Sequence, residues 1–352
     1  MTVSPETLKI LETYGGITAP DIEGIAHFGD PLGEQRHVQM MYPRLDRKAI
    51  KVTGPDASSF LTSLFSQVFE GPVGTVGRAL NLDAQGHVLD IIVWQAIENG
   101  YLLHVDTASE LDSYLEAMRF WTNVNIETTD HFIFTILERE VITHPEGSKQ
   151  KVMSQEYAPV PWNGPTRVDI FSEADKVSHH LTRRTYDGYR LIGSLAWDAI
   201  RVEALEPRVG VDLDKSSIPH EVFHYIGEST GTAVNLNKGC YRGQETVARV
   251  QNLGKSPRVL AMVHIDGSAP ELPQPGTVIV ANGARKAGVL GTVAHHWELG
   301  PIGLALIKRN LVDARLSAGM SALSVETETL VNDDRIPDGK RAIERLRGDV
   351  VD

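Results

Sequence analysis

Lys238-Gly239-Cys240-Tyr241-Arg242-Gly243-Gln244-Glu245 is the stretch on which the reading of this chain turns. Its eight positions hold the only cysteine of the 352 residues, two glycines and four further charged or polar side chains. Such density is costly for a core strand, because each buried polar group needs a partner. Lys238 and Arg242 beside Cys240 favour its thiolate electrostatically, and the glycines permit a tight backbone path close to a ligand. Taken alone, the stretch stays open between a site built around a reactive thiol and a surface turn whose cysteine behaves as a small hydrophobe. A nucleophilic Cys240 would need a base such as His220, His224 or His264, and no spacing selects one of them.

Upstream, His220-Glu221-Val222-Phe223-His224 matches the zinc-protease pattern, in which two histidines one helical turn apart bind a metal and the glutamate acts as base. Glu245 is a candidate third ligand for such a site. Pro219 and Gly227 limit the expected helix to barely two turns, so a half-exposed helix face is the ordinary alternative and no metal is assigned. Residues 194–205 read as a further helix, with Leu195, Ile200 and Leu205 toward a core and Arg201 and Glu203 left free. A carboxylate on a pocket wall suits a pterin, because its two oxygens accept paired hydrogen bonds from ring N–H and amino groups. By itself, Arg201-Val202-Glu203 is a solvated helix face.

The N-terminal half alternates strand and helix patterns. Residues 49–53 are strand-like, Gly54-Pro55 breaks the strand, and Asp56 is placed to cap a helix carrying Phe60, Leu61, Leu64 and Phe65. Residues 76–82, 87–97 and 101–105 form an antiparallel meander, turned at residues 83–86 and at Asn99-Gly100. Thr107 with Glu110 predicts a capping box before a helix bearing Leu111, Leu115 and Met118, and residues 132–137 are again strand-like. Residues 141–165, rich in Pro, Gly and polar groups, mark a soft boundary. Past Lys255 the segments 258–265, 277–281, 286–295 and 301–308 predict the short strands of a small barrel or sandwich. The organisation expected is therefore α+β over residues 1–254, a β domain over 255–330 and a charged tail over 331–352.

Composition narrows the function classes. Acidic residues outnumber basic ones by 46 to 34, and a net charge of −12 opposes general binding to a phosphate backbone, so no nucleic-acid partner is expected. No apolar run is long enough to span a bilayer, and the N-terminus, a short amphipathic helix opening at Pro5 and stopped at Gly15-Gly16, lacks the pattern of a signal peptide. A single cysteine allows no internal disulfide, which suits a reducing compartment such as the cytoplasm.

Together these segments resemble the folate-binding YgfZ family, relatives of the glycine-cleavage T-protein, an aminomethyltransferase. Residues 238–245 match that family's signature at every fixed place, with Arg242 in the variable one. Further resemblances follow in order: residues 52–57 with Phe60-Leu61, residues 86–94, Arg201-Val202-Glu203 and Pro219-x-Glu221. The resemblance implies a multi-domain α+β aminomethyltransferase-like fold, two intertwined domains and a C-terminal β-barrel arranged about a folate-binding opening. It implies tetrahydrofolate or a derivative as cofactor, bound by Glu203 at the pterin with Lys238, Tyr241 and Asp90 contributing, and a functional thiol at Cys240. It implies iron–sulfur client enzymes or assembly factors as partners. It accounts for the zinc-like pattern, since the Pro-x-Glu element does not require the two histidines. The superfamily's catalytic aspartate falls at Ile91, and Asp90, one residue earlier on a strand, points to the other face, which argues against aminomethyl transfer.

Overall fold

The computed structural model describes residues 5–139, 157–227, 231–327 and 330. Two antiparallel-rich sheets and a closed barrel make up the framework. The first sheet has five strands in the order Val76–Leu82, Val88–Ile97, Gly100–Asp106, Arg47–Thr53 and Asn125–Thr129, every neighbour antiparallel. Helices Ala57–Leu64 and Leu111–Met118 cover it, burying Phe60, Leu61, Leu64, Leu111 and Leu115 against Ile50, Val52, Ile92 and Trp94. Each of these apolar side chains contributes roughly 1.5–3 kcal/mol on burial.

The second sheet runs Thr166–Ser172, Phe132–Glu138, Gln39–Pro43 and Arg190–Leu191, the last strand parallel to its neighbour. Its strands Gln39–Pro43 and Phe132–Glu138 enclose the whole first sheet in sequence, so the chain leaves one layer, builds the other and returns. Helices Pro5–Thr13 and Val177–Tyr186 pack on it through Leu11, Val177 and Leu181, and helix Ser194–Glu203 through Ala196, Trp197 and Ile200.

The barrel closes in the order Arg258–Ile265, Gly300–Lys308, Arg285–His296, Val278–Ala281, Leu316–Ala318 and Ser321–Val325, the last strand pairing back onto the first. Alternation along its strands sends Ala261, Val263, Ala305 and Ile307 inward. The intervening Leu260, Met262, Ile302 and Leu304 pack outward against Val202, Leu205, Tyr225 and Tyr241. That shared cluster docks the barrel beside the helix carrying Glu203 and the loop carrying Cys240.

The expected α+β fold with a C-terminal barrel is thus present, while several local readings need correction. Helix Leu111–Met118 begins without the predicted capping box: Asp106 accepts the Ala108 N–H at 3.0 Å and Ser109 the Leu111 N–H at 3.1 Å, which puts the chain reversal after Thr107. Asp56 accepts from the Asn123 N–H at 2.7 Å and gives its own helix no side-chain cap. Leu195 is exposed, because Ala196, Trp197, Ala199 and Ile200 supply the helix's buried face. Most of the soft boundary at 141–165, together with the tail 331–352, lies outside the described residues.

Candidate functional site

The loop 238–243 enters helix Gln244–Leu253 through Gly243, whose φ of 81° lies in the left-handed region. A Cβ there would also come within 2.7 Å of the Asp83 carbonyl oxygen and 2.8 Å of the Gly86 Cα. The loop therefore packs backbone to backbone on the turn between strands Val76–Leu82 and Val88–Ile97.

Three side chains anchor it. Lys238, 9% exposed, donates from Nζ to the carbonyl oxygens of Thr62 at 2.5 Å and Phe65 at 2.6 Å, at the C-terminal end of helix Ala57–Leu64. Its ammonium sits 4.5 Å from the Tyr241 ring centre, and burial lowers its pKa to about 8. Tyr241 is buried in the central cluster, and burial raises its phenol to about 12. Arg242 donates to the Leu82 carbonyl oxygen and, at 2.8 Å, to Asn81 Oδ1, while covering the Tyr114 ring at 4.3 Å. Cys240 is left exposed between these anchors. Arg242, read from sequence as a second cation beside Cys240, is engaged with the strand instead.

Asn81 carries the loop's influence further, donating from Nδ2 to Asp90 Oδ2 at 2.7 Å. Asp90 faces Asn81 and Ile91 faces Leu80 across the sheet, so the two side chains alternate as the sequence reading expects. Ile91 is 5% exposed and belongs to the central apolar cluster. Both residues border a cavity of about 130 Å³ together with Arg47, Ser109 and Arg208.

Glu203 lies elsewhere, at the C-terminal end of its helix and on the wall of a cavity of about 390 Å³ shared with Arg139, Asn163 and Gly164. Its side chain is 41% exposed and held only by long contacts, 3.7 Å to His296 Nε2 and 3.9 Å to Arg139. His296, and then Arg139, keep its carboxyl below the usual carboxylate range. Two neighbouring nitrogens, His296 Nε2 and Arg139 Nε, are buried without a hydrogen-bond partner. The structure thus joins Lys238, Tyr241 and Asp90 around the Cys240 loop and sets Glu203 on a separate cavity.

Arg201, read from sequence as free, is 1% exposed. It donates to Asp198 at 2.6 Å, to Asp212 at 2.8 Å and to Thr292 of the barrel, tying helix to barrel. It belongs to a larger set of buried ions that the sequence reading missed. Arg78 binds Glu206 at 2.7 Å, Arg167 binds Asp169 at 2.6 Å, and His104 meets Asp169 at 2.8 Å. Against the cost of burial, Arg78 and His224 hold Glu206 well below the carboxylate range. Burial pushes His104 down to about 4, against the pull of Asp169. The available signal was a charge inside an apolar strand run, as at Arg78 and Asp169, which local periodicity treats as solvent-facing.

The zinc-like segment is not a helix. It forms two 3₁₀ turns, Pro219–Glu221 and Phe223–Tyr225, separated by an extended Val222, so His220 and His224 do not share a helical face. Glu221 is buried and accepts from Arg258 Nε at 2.7 Å and from the Ile218 N–H at 3.2 Å. Among the described residues no group of three or more His, Cys, Asp or Glu side chains is placed to hold a metal ion. No described helix is long and apolar enough to cross a membrane.

No family model matches the chain. Among curated proteins, a putative chloroplastic transferase of Arabidopsis thaliana is 29% identical over 118 residues, which are 34% of this chain and 25% of that one. The tRNA-modifying protein YgfZ of Photobacterium profundum is 32% identical over 109 residues, 30% of this chain and 31% of that one. The matches therefore span less than a third of either relative's length. Among solved structures, the glycine cleavage system aminomethyltransferase T of Bartonella henselae superposes with a TM-score of 0.71 at 16% identity, over 92% of this chain and 97% of that one. The chain is thus similar in sequence, over about a third of its length, to a YgfZ protein and a putative transferase, and it has the fold of a glycine-cleavage aminomethyltransferase over nearly the whole chain.

Proposed function

We propose that the protein binds tetrahydrofolate or a derivative and acts as an accessory factor in iron–sulfur cluster assembly or repair, in a reducing cytoplasm. The observation that carries the folate reading is Glu203: an ionised, half-exposed carboxylate on a cavity wall, whose oxygens make only long contacts. Those oxygens, held only at long range, can accept the paired N–H groups of a pterin, while His296 Nε2 and Arg139 Nε beside them, which make no hydrogen bond, leave further donors in the same place. When bound, the folate would supply the pterin head and a nitrogen able to carry a one-carbon unit. Lys238, Tyr241 and Asp90 then serve chiefly through the loop they hold, presenting Cys240 outward to a partner. One thiol does not make the four-thiolate set of an ordinary cluster, so any cluster contact at Cys240 is shared with a client or assembly factor.

A folate-dependent aminomethyltransferase is the second reading. The burial of Ile91 in the apolar cluster, where the superfamily's catalytic aspartate is expected, speaks against it. A zinc hydrolase through His220, Glu221 and His224 loses its support with the helix. The net charge of −12 disfavours direct grip on RNA, so any part in tRNA modification would run through a client enzyme.

Cells lacking the gene, restored with the parent chain or with Cys240→Ala, test the accessory role. The expected outcome is that only the parent restores the activity of iron–sulfur enzymes, while cluster-free enzymes are unaffected throughout. Full rescue by Cys240→Ala, or equal loss among cluster-free enzymes, would overturn it.

A further inference from the structure

Beside the signature helix lies an open groove of about 1280 Å³ between helix Gln244–Leu253, the turn at Ala84-Gln85 and one end of the barrel. Arg249, Arg285 and Lys308 line it, all exposed, and none has a carboxylate partner among the described residues. Lys308 donates to the carbonyl oxygen of Lys286 at 3.0 Å. Arg258, also in the lining, is neutralised by Asp214 and Glu221 at 2.6 and 2.7 Å, which leaves Glu245 as the exposed acid in the groove. In a chain of net charge −12, three unpaired cations gathered in one concave place mark a surface complementary to negative charge.

We propose that this groove docks an acidic, partly apolar segment of a partner protein. Ile218, Val250 and Pro257 interleave with the cations, giving aliphatic side chains a surface to cover between charge contacts. A nucleic acid fits less well: Phe, Tyr and Trp are absent from the lining, which leaves His87 as its one aromatic ring for bases to stack on, and the acidic remainder of the molecule repels a long phosphate backbone. Helix Gln244–Leu253 starts four residues after Cys240, so a segment seated here lies against the element that the signature loop opens. The inference does not depend on folate binding and survives if Glu203 proves to have no ligand.

The test uses fluorescence anisotropy with the full chain and a short labelled peptide of alternating glutamate and leucine, beside a labelled single-stranded RNA of equal charge. The parent should bind the peptide in a salt-dependent manner and more tightly than the RNA. The triple variant Arg249→Glu, Arg285→Glu, Lys308→Glu should lose about tenfold or more in affinity, with unchanged circular dichroism and thermal unfolding. Arg183→Glu, an exposed arginine outside the groove, should bind like the parent. Absence of peptide binding by the parent, equal affinity of the triple variant, or tighter binding of the RNA would each overturn the proposal.

Discussion

Arg201 and Glu203, two residues apart on one helix, should respond oppositely to truncation. Arg201→Met removes a guanidinium that is 1% exposed and bonded to Asp198, Asp212 and Thr292. Breaking a buried pair costs about 3–5 kcal/mol when the remaining charge is stranded. Asp212 is not wholly stranded, since it still accepts from the Thr292 N–H at 2.7 Å and the Arg208 N–H at 2.8 Å. Asp198 is partly solvated. The expected loss therefore falls at the lower end, about 3 kcal/mol, a large share of a typical stability of about 5–15 kcal/mol. Glu203→Ala removes a side chain 41% exposed whose charged partners lie at 3.7 and 3.9 Å, and should change stability by less than about 0.5 kcal/mol. Urea unfolding followed by tryptophan fluorescence measures both. A loss below about 1 kcal/mol for Arg201→Met, or one of similar size for both variants, would refute the division into a structural arginine and a ligand-facing glutamate.

Further expectations follow from the same geometry. Burial holds His104 at about 4, below its unfolded value near 6.5, so the unfolded chain binds the extra proton. Its contribution is complete above about pH 6.5 and lost progressively as pH falls toward 4, of order 3 kcal/mol; His104→Gln should flatten the stability profile in that window, and an unchanged slope would contradict it. Gly243→Ala forces a left-handed φ and a backbone clash at 2.7 Å, and should cost about 2 kcal/mol or more in thermal unfolding, whereas an unchanged Tm would show that the loop tolerates a Cβ. Cys240, being exposed, should be alkylated in the native protein about as fast as in urea; a native rate slower by about tenfold or more would place the thiol inside the fold.

Much of the fold was legible because its signals are local. The strands Val76–Leu82 and Val88–Ile97 are largely apolar and Arg47–Thr53 alternates apolar with polar residues over its second half, all ended by Gly-Pro, Asp or Asn-Gly turns, and the barrel strands repeat that grammar after Lys255. The segment 219–225 was misread as helix because Pro219 and the apolar spacing satisfy a helix start, while the preference that won is tertiary: Arg258 holds Glu221, so the chain turns twice in 3₁₀ form. Arg201 was read as free for the same kind of reason, since nothing within ten residues announces that Asp212 and Thr292 will surround it. At the site, the signature named the loop but not the division of labour within it. That Lys238 caps a helix end and Arg242 grips Asn81, leaving only Cys240 outward, follows from partners more than 150 residues away in sequence.

The folate claim rests on Glu203, and calorimetric titration of the purified chain with tetrahydrofolate under reducing, anaerobic conditions tests it most directly. The expected result is binding by the parent and by Cys240→Ala, and none by Glu203→Ala, whose fold stays intact by circular dichroism. Equal binding by Glu203→Ala would remove that residue from the site, and no binding by any of the three would contradict the folate reading itself.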